Sequence, residues 1–171
     1  MILETERLVL RPIVTADWRV LYPVMNDPVV MAHWDSAEIE DPEIMESMVA
    51  AQVEDMAAEH ACYWAIERAD DRTFLGACEL SEIDWRHHRG EVGFVLARPA
   101  WGQGYGLEAM LAVLDHAAAL GLKRLSARAH AGNERSERLL RRLGFEEEGY
   151  LRGHIQRDGE RRDCKVFGLL L

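Results

Sequence analysis

The sequence predicts one α+β domain spanning residues 1–171, with a mixed, mostly antiparallel central sheet of about seven strands flanked by about four helices. Three observations predict it. Short apolar runs are bounded by turn signals, and longer segments repeat their apolar residues at helical spacing between recognisable caps. These segments follow in the order strand, helices, a meander whose last strand opens a strand–helix–strand–helix run, then a hairpin. No internal repeat, low-complexity tract or linker divides the chain, and 171 residues suffice for a sizeable core.

Leu8 to Leu10 reads as a first strand, ended by Arg11-Pro12. Thr15, Ala16 and Asp17 offer caps for a helix to about Val24, and Asn26-Asp27-Pro28 reads as a turn. Asp41-Pro42 opens a second helix with proline near its first position. Along it Ile44, Met45, Met48, Val49, Val53 and Met56 form a stripe expected in the core. Three strands follow at Cys62 to Glu67, Phe74 to Ile83 and Gly90 to Leu96. A third helix runs from about Tyr105 to Leu120 and stops at Gly121. Arg124 to Ala129 is a strand, and Asn133 begins a helix that Gly144 closes. The remainder holds two strands joined at Arg157-Asp158-Gly159-Glu160, where Asp-Gly is a hairpin signal.

The charge balance narrows the function. Thirty acidic residues face 20 basic ones, a net charge of -10, which argues against nucleic acid as a partner. Arg138, Arg141 and Arg142 make only a local basic cluster. The acidity suits a cationic partner such as an amine. Cys62, Cys78 and Cys164 are few and widely spaced, so neither a disulfide framework nor a zinc site is expected. His87 and His88 are adjacent on a polar link, where their side chains point apart, so no metal is expected there either. With so few cysteines a reducing cytoplasm is the expected setting, and charges from Glu4 onward without an apolar stretch are not the pattern of a signal peptide. No apolar run approaches the ~18 residues of a membrane span.

Chemistry concentrates at Trp101-Gly102-Gln103-Gly104-Tyr105-Gly106-Leu107-Glu108-Ala109. Its three glycines alternate at a strand-to-helix junction, where uncapped amides and the helix dipole favour phosphate. A loop without ligand is the alternative. No Lys-Ser or Lys-Thr follows, which excludes the Walker A pattern, and Leu107 stands where the dinucleotide fingerprint needs its third glycine.

Gly104-Tyr105-Gly106 resembles the (Q/R)xxGx(G/A) turn of the GNAT acetyltransferases, whose amides hold the pyrophosphate of acetyl-CoA. The resemblance covers nearly the whole chain. Thr5-Glu6-Arg7-Leu8 with Leu10-Arg11-Pro12 is similar to the opening of the RimJ/RimL-like branch, which acetylates protein N-termini and some small amines. Glu91-Val92-Gly93-Phe94-Val95-Leu96 resembles its central strand. Asn133-Glu134-Arg135-Ser136 with Leu143-Gly144-Phe145 matches its NxxS…LGF helix. Gly149, Arg157-Asp158-Gly159 and Asp163 match its C-terminal hairpin. One departure is Trp101, which replaces the usual Gln or Arg and is expected to pack.

The resemblance implies an α/β three-layer fold with splayed middle strands, acetyl-CoA as co-substrate, and direct attack by an amine in a ternary complex. It places cofactor contacts at Phe94, Val95, Leu96, Gln103, Gly104, Tyr105, Gly106, Asn133 and Ser136. It favours Glu91 as general base, with pairing to an arginine as the alternative reading. Glu79 and Glu82 are rivals whose spacing puts them on opposite faces of a regular strand. The tyrosine acid of many members falls at Leu140, which has no proton to give; Ser136 is then expected to assist the leaving thiolate, or only to support its helix. Trp34 and Asp35, with Glu79, are the expected acceptor contacts, Trp34 having packing as its alternative. The cysteines need no nucleophilic role, and Cys62 and Cys78 are expected in the core. The acceptor is an amine-bearing small molecule or a protein N-terminus, with no metal required, and a homodimer is compatible with the branch. A non-catalytic CoA-binding module and a transferase of another acyl group are the competing readings.

Overall fold

The computed structural model describes residues 1–171. Eight strands form one sheet in the order β1-β2-β3-β4-β5-β6-β8-β7. They are β1 (Leu3–Glu4), β2 (Leu8–Pro12), β3 (Cys62–Arg68), β4 (Phe74–Asp84), β5 (Arg89–Leu96), β6 (Arg124–His130), β7 (Glu146–Arg157) and β8 (Glu160–Leu170). The helices are α1 (Trp18–Met25), α2 (Pro28–Met31), α3 (Pro42–Ala57), α4 (Tyr105–Ala119) and α5 (Glu134–Arg142), with short 3-10 turns at Thr15–Asp17 and Arg98–Ala100.

The architecture is the kind the sequence predicts, with one more strand and one more helix. β1 spans two residues, too short for periodicity to register. α2 is one turn, begun by the Asp27 side chain accepting from the Val29 amide and by Pro28; the same residues read as a simple turn. The apolar stripe of α3 is corrected. Met45 and Val49 are buried, but Ile44 and Met48 are exposed, because one helix face alone meets the sheet.

Every pairing is antiparallel except β5 with β6, and that pair is short. Arg89, Gly90 and Glu91 face Arg124, Leu125 and Ser126; beyond Glu91 the two strands part. Both stay paired on their other sides, β5 with β4 as far as Leu96 and β6 with β8 as far as His130. The sheet is therefore continuous at one end and forked at the other.

Side-chain alternation sorts the core onto two faces. Leu8, Leu10, Trp64, Ile66, Leu80, Val92, Leu125 and Phe167 lie under α4 and α5, which contribute Met110, Val113, Leu114 and Leu140. The opposite face packs Val95 against Leu21, Met25, Met31, Met45 and Val49 from α1 to α3. Full burial of a side chain such as Phe167 is worth about 1.5–3 kcal/mol. On the second face Arg11 of β2 joins Asp17 (2.7 Å) and Glu67 of β3 (2.6 Å), pinning the first helical layer to the sheet.

Candidate active site

The glycine turn lies at the mouth of the fork. Gly102 and Gly104 take φ of +77° and +84°, a conformation only glycine enters without strain. Gly104 is the N-cap of α4 and supplies no side-chain cap, so the first amides of the helix stay free. A Cβ on Gly102 would meet nothing within 4 Å, so its backbone borders open space. Gly106 serves packing instead: a Cβ there would stand 3.1 Å from Leu139 Cδ1 and 3.4 Å from Leu96 Cδ1.

The N-terminal segment holds this turn in place. Glu108, in the first turn of α4, accepts from the Thr5 hydroxyl (2.6 Å), the Arg7 amide (2.8 Å) and Arg7 Nε (2.7 Å). Arg7 Nη1 also donates to the Gln103 carbonyl (3.0 Å), and its guanidinium lies 4.7 Å from the centre of the buried Tyr105 ring. Burial pushes the Glu108 carboxyl up, but the bonds from Thr5 and Arg7 outweigh that and hold it below its ordinary range. The sequence shows Thr5, Arg7 and Glu108 as motif residues without roles; here they form one clamp. The Gln103 side chain donates to the Pro99 carbonyl (2.7 Å), which leaves its backbone as the group facing the turn.

Trp101 packs, and it also binds. Its indole Nε1 donates to the Leu96 carbonyl (2.8 Å), and Arg135 of α5 sits 4.3 Å above its ring. Of the three peptide units assigned to an added strand, Leu96 thus has its carbonyl already engaged, and Val95, in the alternation set by the Ala97 amide donating to the Leu75 carbonyl, turns its groups to Ala77 of β4; Phe94 alone faces the fork. Across the fork, Asn133 Oδ1 accepts from the Ser136 amide (3.2 Å) and caps α5. The Ser136 hydroxyl donates to no protein group, and Leu140 is buried in the core.

The other face of the fork is polar. Glu91 is bound to Arg128 of β6 (2.8 Å), the arginine pairing that the sequence left as an alternative. Glu79 of β4 faces Gly93 of β5, and a Cβ on Gly93 would stand 2.9 Å from Glu79 Oε1. No ion pair or hydrogen bond engages the Glu79 carboxylate. Burial, reinforced by the charge of Glu91 and opposed by Arg128, raises its pKa. Tyr63, its register partner on β3, is pushed up to about 12 by burial and by the nearby carboxylates. Glu82 leaves the group: it lies where the register slips between Ser81 and Asp84, with φ of +49°.

Asp35 reaches this face from the loop between α2 and α3, its Oδ1 2.9 Å from Nε2 of the buried His130. Trp34 is half-buried among the residues of the second core, and its carbonyl accepts from Arg157 (3.1 Å) of the C-terminal hairpin, fastening the loop. Cys78 and Cys164 are buried and Cys62 is half-buried, and burial pushes all three thiols up, away from nucleophilic reactivity. Two surface grooves, of about 400 and 980 Å³, lie beside α1 and beside the 36–41 loop, and neither is lined by residues of the β5–β6 fork.

The acetyltransferase (GNAT) domain family matches residues 7–146. The chain belongs to the GNAT acetyltransferases. It is an N-acetyltransferase. The "Uncharacterized N-acetyltransferase p20" of Bacillus licheniformis is 31% identical over 170 residues, covering 98% of this chain and 95% of its own. The "[Ribosomal protein uS5]-alanine N-acetyltransferase" of Escherichia coli is 26% identical, covering 98% of this chain and 89% of its own. The solved spermidine N-acetyltransferase of Vibrio cholerae, in complex with CoA and spermine, superposes with a TM-score of 0.86 at 23% identity, covering 97% and 96% of the two chains.

For this GNAT chain the fork and the glycine turn fit a CoA thioester on the structure's own evidence: open space over Gly102, uncapped α4 amides, an unpaired Arg135 beside them, and unpaired backbone beyond Glu91. Sequence reasoning missed Arg128, His130 and Tyr63. Arg128 and His130 alternate with the buried Ala127 and Ala129 of β6, so the pattern of that strand marks them as facing the other side. No local signal pairs them with Glu91 and Asp35, each of which comes from a distant segment.

Proposed function

We infer that the protein transfers an acetyl group from acetyl-CoA to a primary amine, on a small molecule or a protein N-terminus, by direct attack in a ternary complex. The observation that carries this reading is the fork between β5 and β6 with the uncapped, glycine-lined start of α4 at its mouth. The amides of Gly104, Tyr105 and Gly106 would hold the pyrophosphate, with Gln103 contributing its backbone. The free backbone at Phe94 would pair with the pantetheine arm, Val95 holding its neighbour in register through β4, and Asn133 would pair with the same arm from α5. Ser136 would assist the departing thiolate with its unengaged hydroxyl. The acceptor would enter on the face of Glu79, Glu91 and Asp35, whose carboxylates favour a cationic amine, with Trp34 behind them.

Calorimetry with acetyl-CoA tests the donor half, and absence of binding at high micromolar concentration would sink it. Thiol release over Ala- and Ser-initiated peptides, polyamines, aminoglycosides and amino-acid analogues tests the acceptor half. The buried Leu140, in the position of a tyrosine acid, supports a second reading as a CoA-binding module without catalysis. Tight binding with no turnover across that panel would favour it.

A further inference from the structure

We propose that Glu79 is the group that removes the proton from the acceptor amine, with Gly93 as the gap that admits its carboxylate and the Glu91–Arg128 pair as the charges that set its readiness. This rests on the acetyl-transfer reading above and assigns a residue within it.

The argument begins with availability. A general base must keep a lone pair free and stand where the reacting nitrogen arrives. Glu91 meets the first condition only in part, because Arg128 Nε donates to its Oε1 at 2.8 Å and ties the carboxylate to β6, leaving Oε2 alone open. Glu79 meets it, having neither an ion-pair partner nor a hydrogen-bond donor. The second condition is met by register. Glu79 pairs with Gly93, which lies on the stretch of β5 that has parted from β6, next to Phe94. Any other residue at position 93 would put a Cβ 2.9 Å from Glu79 Oε1 and push the carboxylate aside. The gap is therefore specific to this pair of residues.

The surroundings agree on every side. On β3 the Tyr63 phenol stays neutral next to Glu79. On β5 Glu91 adds a like charge, and on β6 Arg128 adds an opposing one. Asp35, from the loop above, acts on Arg128 rather than on Glu79. Burial dominates and leaves a carboxylate more basic than an exposed one, as proton abstraction near neutral pH requires.

The step balances as follows. An ammonium gives one proton to Glu79, and the neutral nitrogen attacks the thioester carbonyl. The C–N bond forms, the C–S bond breaks, and the sulfur leaves with its electron pair and takes a second proton from the acetylated nitrogen. Glu79 then releases its proton to solvent. One ammonium and one acetyl thioester become one amide, one thiol and one proton.

The test compares Glu79→Gln, Glu79→Asp, Glu91→Gln and Arg128→Gln, using acetyl-CoA with spermidine and with an Ala-initiated peptide, by thiol release from pH 5 to 9. Glu79→Gln should lower kcat/KM about 10²–10⁴-fold and abolish the acid limb of the profile, while the calorimetric Kd for acetyl-CoA stays within twofold. Glu79→Asp should restore part of the rate. Glu91→Gln should keep the limb and move it to lower pH, since it removes a like charge and frees Arg128; Arg128→Gln should move it higher. A ¹³C titration of the side-chain carboxyls supplies a readout without turnover: one carboxyl titrating above the ordinary range should vanish in Glu79→Gln. If that variant retains the rate and the limb, or if no high-titrating carboxyl disappears, the assignment to Glu79 is overturned. If acetyl-CoA fails to bind the unmodified protein, the underlying reading falls and takes the assignment with it.

Discussion

Replacing Glu108 with alanine should both destabilise the protein and weaken its hold on acetyl-CoA. The carboxylate receives the Thr5 hydroxyl, the Arg7 amide and the Arg7 guanidinium. A hydrogen bond to a charged group contributes about 1.5–3 kcal/mol, but the Arg7 side chain is 44% exposed, which limits that ion pair to about 0.2–1 kcal/mol. Water reaches part of the vacated site, so the total is about 3 kcal/mol rather than the full sum. For a chain of this size that corresponds to a fall in Tm of about 6–12 °C. The functional effect follows from the bond of Arg7 Nη1 to the Gln103 carbonyl: without Glu108, Arg7 is free to swing and the turn loses its anchor. We expect the calorimetric Kd for acetyl-CoA to rise about tenfold, roughly 1.4 kcal/mol. Glu108→Gln keeps the shape and an acceptor oxygen and should lose less in both measurements. A Glu108→Ala protein that melts like the parent refutes the energetic account. One that melts lower yet binds acetyl-CoA unchanged refutes the link between clamp and turn.

Further expectations concern separate parts of the molecule. Gly104→Ala forces φ of +84° on a residue with a Cβ, which should cost about 1–2 kcal/mol and at least tenfold in acetyl-CoA affinity, read by melting and calorimetry. Trp101→Phe keeps a ring beneath Arg135 but removes the donor to Leu96, so a loss of about 0.5–1.5 kcal/mol in denaturant unfolding is expected. Asp17→Ala removes the partner of Arg11 in a nearly buried pair and should cost about 3 kcal/mol, Glu67 retaining part of the charge compensation. Burial pushes the Asp17 carboxyl up, yet Arg11 and the Val14 amide outweigh it and hold the folded-state pKa below the unfolded value. Its contribution is therefore present above about pH 4 and lost as pH falls further, so unfolding curves of Asp17→Ala and the parent should converge toward pH 2.

The fold was legible wherever a signal is local. Strand alternation, the Asp41-Pro42 start of α3, the Gly121 and Gly144 stops and the Asp158-Gly159 hairpin all act within a few residues, and each element stands where its signal puts it. What escaped was small or long-range. α2 is a single turn, and Ile44 and Met48 share the periodicity of their helix without sharing its buried face. The donor side of the site was visible as motifs, because a turn that bends at glycine writes its geometry into consecutive residues. The acceptor side was visible only as a set of carboxylates. Ranking Glu91 against Glu79 requires knowing that Arg128 reaches Glu91 across 37 residues of sequence and that Gly93 opens beneath Glu79.

On the proposed reading, the same fork would let donor and acceptor meet between two strands. Strands β5 and β6 are joined by α4, and parallel pairing of this kind closes over Arg89–Glu91 alone. Past that point each strand keeps a full partner on its outer side, so parting them leaves only inner backbone groups unpaired, and a polar chain laid between them would satisfy those groups. The faces then divide the work by alternation. Side chains of β5 and β6 pointing toward α4 and α5 are apolar, and those pointing toward the 32–41 loop include Glu91, Arg128 and His130. A thioester threaded through the gap would present its carbonyl carbon to that polar face, where β4 supplies the one carboxylate left free, Glu79. Shifting the register of β4 by one residue would turn Glu79 into the core and bring Cys78 or Leu80 to the fork, so the bulge at Glu82, which fixes where regular pairing begins, also fixes which β4 side chains face the fork.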